Sequence, residues 1–387
     1  MRASAFFFLS SVALLFALGL VMVFNTTSAE VLDRRLAIGT HYALVRQILS
    51  GCISVIGGLT VWFFGYRRVF SWSRYAFYGG LVLLVLVFVP GIGQKINGAH
   101  RWIGCGPLSF HPSEMMKIIL PLYCIQRLEK IDTMTWPRFL RLASVVALPV
   151  VLILLEPDTG TAVMLFCVLI ALCFLCRIRW IYWLLPACCF GIVAATVALQ
   201  MPHVRGRINI YLHPELDRLG KGHQPYQAKI AAGSGGLTGV GIGKSLQKLN
   251  YLPEARSDYI AAIYAEELGF VGIVFLVALY LVMAWSGFAI ALRAPDQRGF
   301  YLAAILTFLV AFQAFLNLGV VSGLLPSKGI NLPFFSQGGS SLLANTIIVA
   351  LIMSIGQRLP TARGLKREPL GNFGSNHLWS MDHDRGK

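Results

Sequence analysis

Residues 226–269 read YQAKIAAGSGGLTGVGIGKSLQKLNYLPEARSDYIAAIYAEELG. Gly233, Gly235, Gly236, Gly239, Gly241 and Gly243 crowd the first half. Such a run does not propagate a helix; it suits tight turns and close backbone approach. Lys244, Lys248, Glu254, Arg256 and Asp258 follow, and Glu266 and Glu267 sit just inside an apolar run that continues to residue 292. Charge at the mouth of a run long enough to cross a bilayer marks function by default. The glycines do not cradle a nucleotide. A P-loop ending in Gly243-Lys244-Ser245 needs glycine where Thr238 stands, and a dinucleotide turn through Gly239 and Gly241 needs glycine where Lys244 stands. The plain alternative is a flexible external loop.

The rest of the chain is different in kind. Of its 387 residues 56% are hydrophobic and 13% charged, whereas soluble domains are about one quarter charged. The pattern predicts an all-α polytopic membrane protein. The net charge of +16 is scattered between apolar runs, which fits cytoplasmic loops and an anionic membrane surface rather than nucleic acid. Seven of the eight cysteines lie in or beside apolar runs, with Cys105 in a loop, and no zinc-site pattern of CxxC motifs occurs; packing accounts for most of them.

Ten apolar runs stand out, at 6–24, 43–65, 74–92, 110–126, 139–155, 159–176, 179–200, 259–292, 299–325 and 338–358. Each is about 17 residues or longer, enough to cross a hydrocarbon core of about 30 Å. The first resembles a signal peptide but lacks a small-residue cleavage site and is read as a retained helix. The run at 110–126 contains Glu114 and Lys117, the least apolar of the set. Loops with Arg67, Arg68 and Arg74, with Arg127, Lys130, Arg138 and Arg141, with Arg177 and Arg179, and with Arg293 and Arg298 share one side with both termini. The positive-inside rule places that side in the cytoplasm. A large extracytoplasmic loop, 200–258, then joins spans 7 and 8. The spans make one transmembrane domain, 1–360, and 361–387 reads as a disordered cytoplasmic tail.

Three more polar clusters fall on the outer face. Asn97–Gly104 is followed by Phe110-His111-Pro112-Ser113-Glu114 and Lys117. Pro112 signals a helix start, and Glu114 and Lys117, at i,i+3, share a helix face; they are either a self-neutralising pair or part of a site. Trp102 suits an interfacial anchor. In Glu156-Pro157-Asp158-Thr159, a turn with Asp158 or Thr159 as helix cap is the simple reading. Residues 317–341 mix proline, glycine and serine with apolar residues around Lys328, as a re-entrant cavity-lining segment does. Arg101, Lys117, Lys248 and Lys328 with Glu114, Asp258, Glu266 and Glu267 suit an anionic, lipid-borne substrate and acid–base chemistry. A diphosphate is bound by Arg and Lys, often with Mg²⁺ on one or two carboxylates.

At these clusters the chain resembles the SEDS family, the FtsW/RodA membrane glycosyltransferases. The motifs are GAHRWI…FHPSEMMK, EPDTGTA, the 226–269 stretch, and NLGVVSGLLPSKGINLPFFSQGGSS, in order, over almost all of 1–360. Ser327-Lys328-Gly329 looks like the FtsW branch. The resemblance implies polymerisation of lipid II into β-1,4 glycan during cell division at the bacterial inner membrane, with release of undecaprenyl diphosphate. It implies Asp258 as the essential external aspartate, read here as catalytic base; Arg101, Glu114, Lys117, Lys248, Glu267, Lys328 and Ser336 are the candidate substrate-binding residues. A class B penicillin-binding protein transpeptidase and other divisome membrane proteins are the implied partners. A divalent cation (Mg²⁺ or Mn²⁺) is compatible with these residues, though no motif specifies one. Three departures stand out: His111 in place of the usual Gln, His100 in place of a small residue or Arg, and Gln337 in place of the usual Tyr. The other readings are a lipid II flippase and a division scaffold that positions a transpeptidase. A flippase calls for charges near the midplane of several spans or an internal repeat, and the sequence shows neither clearly.

Overall fold

The computed structural model describes residues 2–33, 39–96, 99–105, 108–128, 135–212, 222–249, 252 and 255–357. The expected tail, 361–387, lies outside the described residues. The order is α1 (Arg2–Asp33), α2 (Tyr42–Leu86), β1 (Gly93–Ile96), β2 (Ala99–Cys105), β3 (Leu108–Phe110), α3 (Pro112–Leu128), α4 (Trp136–Leu155), α5 (Thr159–Leu175), α6 (Trp180–Gln200), α7 (Pro202–Leu212), α8 (His223–Ser234), α9 (Ile260–Ala291), α10 (Gln297–Val321) and α11 (Gly339–Gln357).

Among the described residues seven helices are long and apolar enough to cross a membrane, and α5 is a shorter apolar helix. The outside of the bundle is greasy. Phe63, Tyr75 and Phe174 are each three-quarters or more exposed, and the apolar stretch Trp180–Val197 of α6 is unburied throughout. Such a surface belongs in lipid. Exposed hydroxyls there turn back on their own helix: Thr60 donates to the Ile56 carbonyl and Thr196 to that of Ile192, both at 2.8 Å, which satisfies them without water. The chain is a multi-pass membrane protein.

Helix α2 folds back on itself. α3 and α11 start at the same end of the bundle, where the His111 N–H donates to Ser340 Oγ at 3.1 Å. The first arm of α2 keeps step with α11: Ser50 beside Gly339, Gly58 beside Thr346, and the Tyr66 N–H on Ser354 Oγ at 3.2 Å. The second arm runs against α3: Ser73 donates to Gln126 at 2.6 Å, Phe77 stacks on Tyr123, and Gly80 lies on Met116. The reversal is at Gly65, whose φ of 74° is open to glycine. The two arms of α2, hinged at this residue, account for the two runs expected at 43–65 and 74–92.

Two expectations need correction. The fold is not purely helical: β1, β2 and β3 form an antiparallel sheet in that order. Ile96 pairs with Ala99; in the sequence between them, Asn-Gly is the hairpin signal the helical reading passed over. The run at 259–292 is not one straight span either. Gly269, at φ 66° and ψ −163°, breaks α9. The Tyr264 ring packs edge-on against Phe335, and Tyr280 donates to the Pro333 carbonyl at 2.6 Å, so both arms reach the same turn.

The glycine run fills the break. In an intact helix the Phe270 and Val271 N–H groups would bond to the carbonyls of Glu266 and Glu267. Here Phe270 N donates to Gly236 O at 2.9 Å and Val271 N to Leu237 O at 3.1 Å, while the Glu266 and Glu267 carbonyls accept from Val240 N and Gly241 N, each at 3.0 Å. Gly236, Gly239 and Gly241 all have positive φ, and a Cβ on Gly239 would run into the Glu267 carbonyl. The loop 200–258 is therefore built rather than structureless: α7, α8 and this wedge occupy its described residues.

Gly269→Ala should be severely destabilising, since its Cβ would meet the Gly239 N–H and stand 2.6 Å from the Leu237 carbonyl. Gly243→Ala should cost only about 1–2 kcal/mol of left-handed strain, because its Cβ would enter open space. Thermal unfolding of the two purified variants in detergent checks the order.

Candidate active site

Asp258 lies in the turn just before α9, half-buried. Its backbone carbonyl accepts from Asn317 Nδ2 at 2.8 Å, and the same amide donates to the Ile330 carbonyl at 2.7 Å. Gly329 faces the carboxylate so closely that a Cβ there would stand 3.1 Å from Oδ2. The Tyr259 hydroxyl meets Ser327 Oγ at 3.0 Å, and Gln337 N donates to the Arg256 carbonyl at 3.0 Å. The 255–259 turn is thus laced to the irregular 322–338 segment that carries Lys328, itself half-buried. Asn317 does this from inside α10, four residues after Gln313; the two share one face of the helix. That polar i,i+4 pair in an apolar span is the sequence signal for this part of the site.

Gln313 connects to the second cluster. Its Nε2 donates to the Asn331 carbonyl at 2.8 Å, and its Oε1 accepts from Lys117 Nζ at 3.3 Å. Lys117, 2% exposed, also donates to Glu114 Oε1 at 2.7 Å. Glu114 Oε2 is buried without a partner among the described residues. Pro112 opens α3 and Glu114 lies in its first turn, where a carboxylate complements the helix dipole.

Arg101 comes from β2. Its Nε donates to the Glu156 carbonyl at 3.1 Å and its Nη2 to the Pro157 carbonyl at 2.5 Å, pinning the sheet to the α4–α5 turn. Asp158 caps α5 by accepting from Thr161 N at 3.2 Å, as the sequence indicated. His111 sits between Ser113 Oγ at 2.7 Å and Asp158 Oδ2 at 3.9 Å, with the half-buried Trp102 ring edge-on at 4.8 Å. Burial lowers the His111 pKa, so the ring is neutral at pH 7. Burial acts to raise that of Asp158, but His111, Arg101 and the Thr161 N–H together hold it below its usual value.

Lys248 and Glu267 are placed differently. They form a buried pair at 2.9 Å, and Asn25 of α1 closes it, accepting from Lys248 at 2.8 Å and donating to Glu267 at 2.6 Å. Glu266 takes the Ser245 hydroxyl and, at 3.2 Å, the Leu246 N–H. Both carboxylates are engaged in holding the glycine wedge. Ser336 is buried and shapes its own turn, accepting from Leu332 N at 2.9 Å. Of the departures, His100 is exposed, and Gln337 contributes main-chain groups, its carbonyl accepting from Asn331 at 3.3 Å.

Among the described residues no three His, Cys, Asp or Glu side chains converge to hold a metal ion. They build no cage for Mg²⁺ or Mn²⁺.

The FtsW/RodA/SpoVE family model, described as a cell cycle protein, matches residues 5–360. The chain belongs to this family. A relative in Nitrosomonas europaea named probable peptidoglycan glycosyltransferase FtsW is 36% identical over 356 residues, 89% of this chain and 91% of that one. Stage V sporulation protein E of Bacillus subtilis is 36% identical over 349 residues, 88% and 94% of the two chains. A solved chain from work described as structural coordination of polymerization and crosslinking by a peptidoglycan synthase complex superposes with a TM-score of 0.72 at 28% identity, covering 90% of this chain and 96% of that one. Within the family the match lies with FtsW, in keeping with Ser327-Lys328-Gly329.

Glu114→Gln should strand the Lys117 charge, with a loss on the order of 3 kcal/mol. Adding Lys117→Met should restore most of the thermal stability while leaving glycosyltransferase activity low. Unfolding curves of the single and double variants test the pairing apart from the chemistry.

Proposed function

We propose that this peptidoglycan glycosyltransferase polymerises lipid II into β-1,4 glycan strands and releases undecaprenyl diphosphate, with Asp258 as general base. The observation that carries the reading is the placement of Asp258: a half-buried carboxylate whose backbone is fixed by Asn317 and whose side chain faces Gly329, next to Lys328. A base that removes a proton from the acceptor 4-hydroxyl must be held within hydrogen-bond reach of it. Lys328, Arg101 and Lys117 are assigned to the diphosphate, which calls for fixed cations. Glu114 orients Lys117. Lys248, Glu267 and Ser336 are assigned a supporting role, holding the wedge and the 332–336 turn. Inverting displacement needs base and leaving group on opposite sides of the anomeric carbon, as in inverting glycosidases.

Both arms of α2 with α1, α3, α4, α5, α6, α9, α10 and α11 supply ten crossings in this reading. The Asp258 end faces outward and both termini inward, at the bacterial inner membrane, because the arginine-rich turns gather at the other end. The implied partner is a class B penicillin-binding protein at the division site.

Asp258→Asn separates base from cap, since asparagine caps a helix about as well as aspartate. Polymerisation of labelled lipid II by the purified variant should fall by roughly 10²–10⁴-fold, the usual worth of a general base, at normal membrane level. Wild-type turnover in the variant would remove Asp258 from the chemistry. Lys328→Ala should weaken lipid II binding about ten-fold, the worth of one charged hydrogen bond; unchanged affinity would leave Lys328 a headgroup contact.

A further inference from the structure

We propose that Glu156 works as a neutral carboxylic acid, a positioning residue whose lack of charge leaves the Arg101 guanidinium available to an anionic substrate. The inference rests on the assignment of Arg101 to the diphosphate. Glu156 ends α4, is fully buried, and neither Oε1 nor Oε2 has a hydrogen-bond partner among the described residues. An ionised carboxylate in that state costs several kcal/mol, so the group takes up a proton instead.

The charged groups around it act in opposite directions. Asp158 stands two residues on in the same turn and opposes a second negative charge. Arg101, reaching over from β2, favours ionisation, but it spends Nε and Nη2 on the carbonyls of Glu156 and Pro157 rather than on the carboxyl. His111 lies beyond Asp158, 3.9 Å from its Oδ2, with Glu114 and Lys117 behind it on α3. Burial, then Asp158, raise Glu156 from 4.5 to about 8, with Arg101 only partly opposing. At pH 7 the acid is protonated. Arg101 is then offset by Asp158 but not by a second carboxylate, is fixed in direction by two backbone carbonyls, and makes no Nη1 hydrogen bond among the described residues. Once Glu156 ionises, its carboxylate attracts the guanidinium and competes with the diphosphate for it.

Stability is linked to the same proton. Between the ordinary value of 4.5 and about 8 the folded chain holds a proton that the unfolded chain has lost. Glu156 therefore makes stability fall as pH rises through that window and adds no further change above it.

The test is the affinity of the purified protein for fluorescent lipid II in nanodiscs between pH 7 and pH 9. Wild type should lose about ten-fold in affinity, the worth of one charged hydrogen-bond donor. Glu156→Gln should bind as wild type does at pH 7 and stay flat, and its melting temperature should lose the decline between pH 5 and pH 8. A Glu156→Gln affinity that falls in parallel with wild type overturns the proposal. Arg101→Gln separates the two levels. If it binds as well as wild type at pH 7, the diphosphate assignment fails; if it binds weakly while Glu156→Gln still tracks wild type, only the role of Glu156 fails. Should Glu156→Gln not fold, infrared spectra of wild type decide: a protonated-carboxyl band titrating near pH 8 is expected, and its absence at pH 7 refutes the proposal.

Discussion

A helix interrupted inside a membrane must find new partners for the backbone groups it frees, because lipid supplies none. At Gly269 two helical hydrogen bonds are given up and four are made to the glycine run: two donors from Phe270 and Val271, two acceptors from Glu266 and Glu267. Only residues tolerant of positive φ and free of a Cβ can lie that close to a helix backbone. The exchange fixes where each arm of α9 points. The short arm carries Tyr264 onto Phe335, and its first residue follows the turn that holds Asp258 beside Gly329. The position of the proposed base therefore depends on a loop that contributes no chemistry of its own.

The apolar spans were legible because hydrophobic length is a local property of sequence. The capping of α5 by Asp158 and the helix start at Pro112 were legible for the same reason. The wedge was not. Its meaning lies in pairing 236–241 with 266–271, and nothing within either segment announces the other. Taken alone, glycine-rich sequence followed by lysine looks like a phosphate loop or a flexible linker. The same blindness put Lys248, Glu266 and Glu267 in an open site. Each is a charge at a span mouth, yet the structure closes Lys248 and Glu267 on each other and on Asn25, a residue more than two hundred positions away. Asp258 and Lys328 stood out because polar residues next to apolar spans are few and both fall in motifs that carry the resemblance; Gln313 and Asn317, although visible as an i,i+4 pair, carried no charge to draw notice.

Asn317 and Gln313 show how an irregular segment is held rigid at membrane depth. Between them they bond to the carbonyls of Asp258, Ile330 and Asn331 and to Lys117. One face of one helix thus fixes the turn before α9, the segment bearing Lys328, and the first turns of α3. Three polypeptide segments distant in sequence are set relative to one another by two neutral amides, which add no charge to the site they organise.

That neutrality bears on which lysine meets substrate. Lys248 and Lys117 are both buried, and each has one carboxylate and one amide partner. For Lys248 the carboxylate is closed: Glu267 spends its second oxygen on Asn25, so the cluster is neutral and complete. For Lys117 it is open: Glu114 keeps an oxygen without a partner among the described residues, and Gln313 ties the ammonium to the 322–338 segment only through a neutral contact. A satisfied buried pair gains nothing from ligand and loses much by being opened. An incompletely satisfied one is held in place yet keeps an acceptor free for a donor such as a sugar hydroxyl. By that criterion the proposed substrate side runs from Arg101 through Lys117 to Lys328 and Asp258, with the Lys248 side as the frame against which it is built.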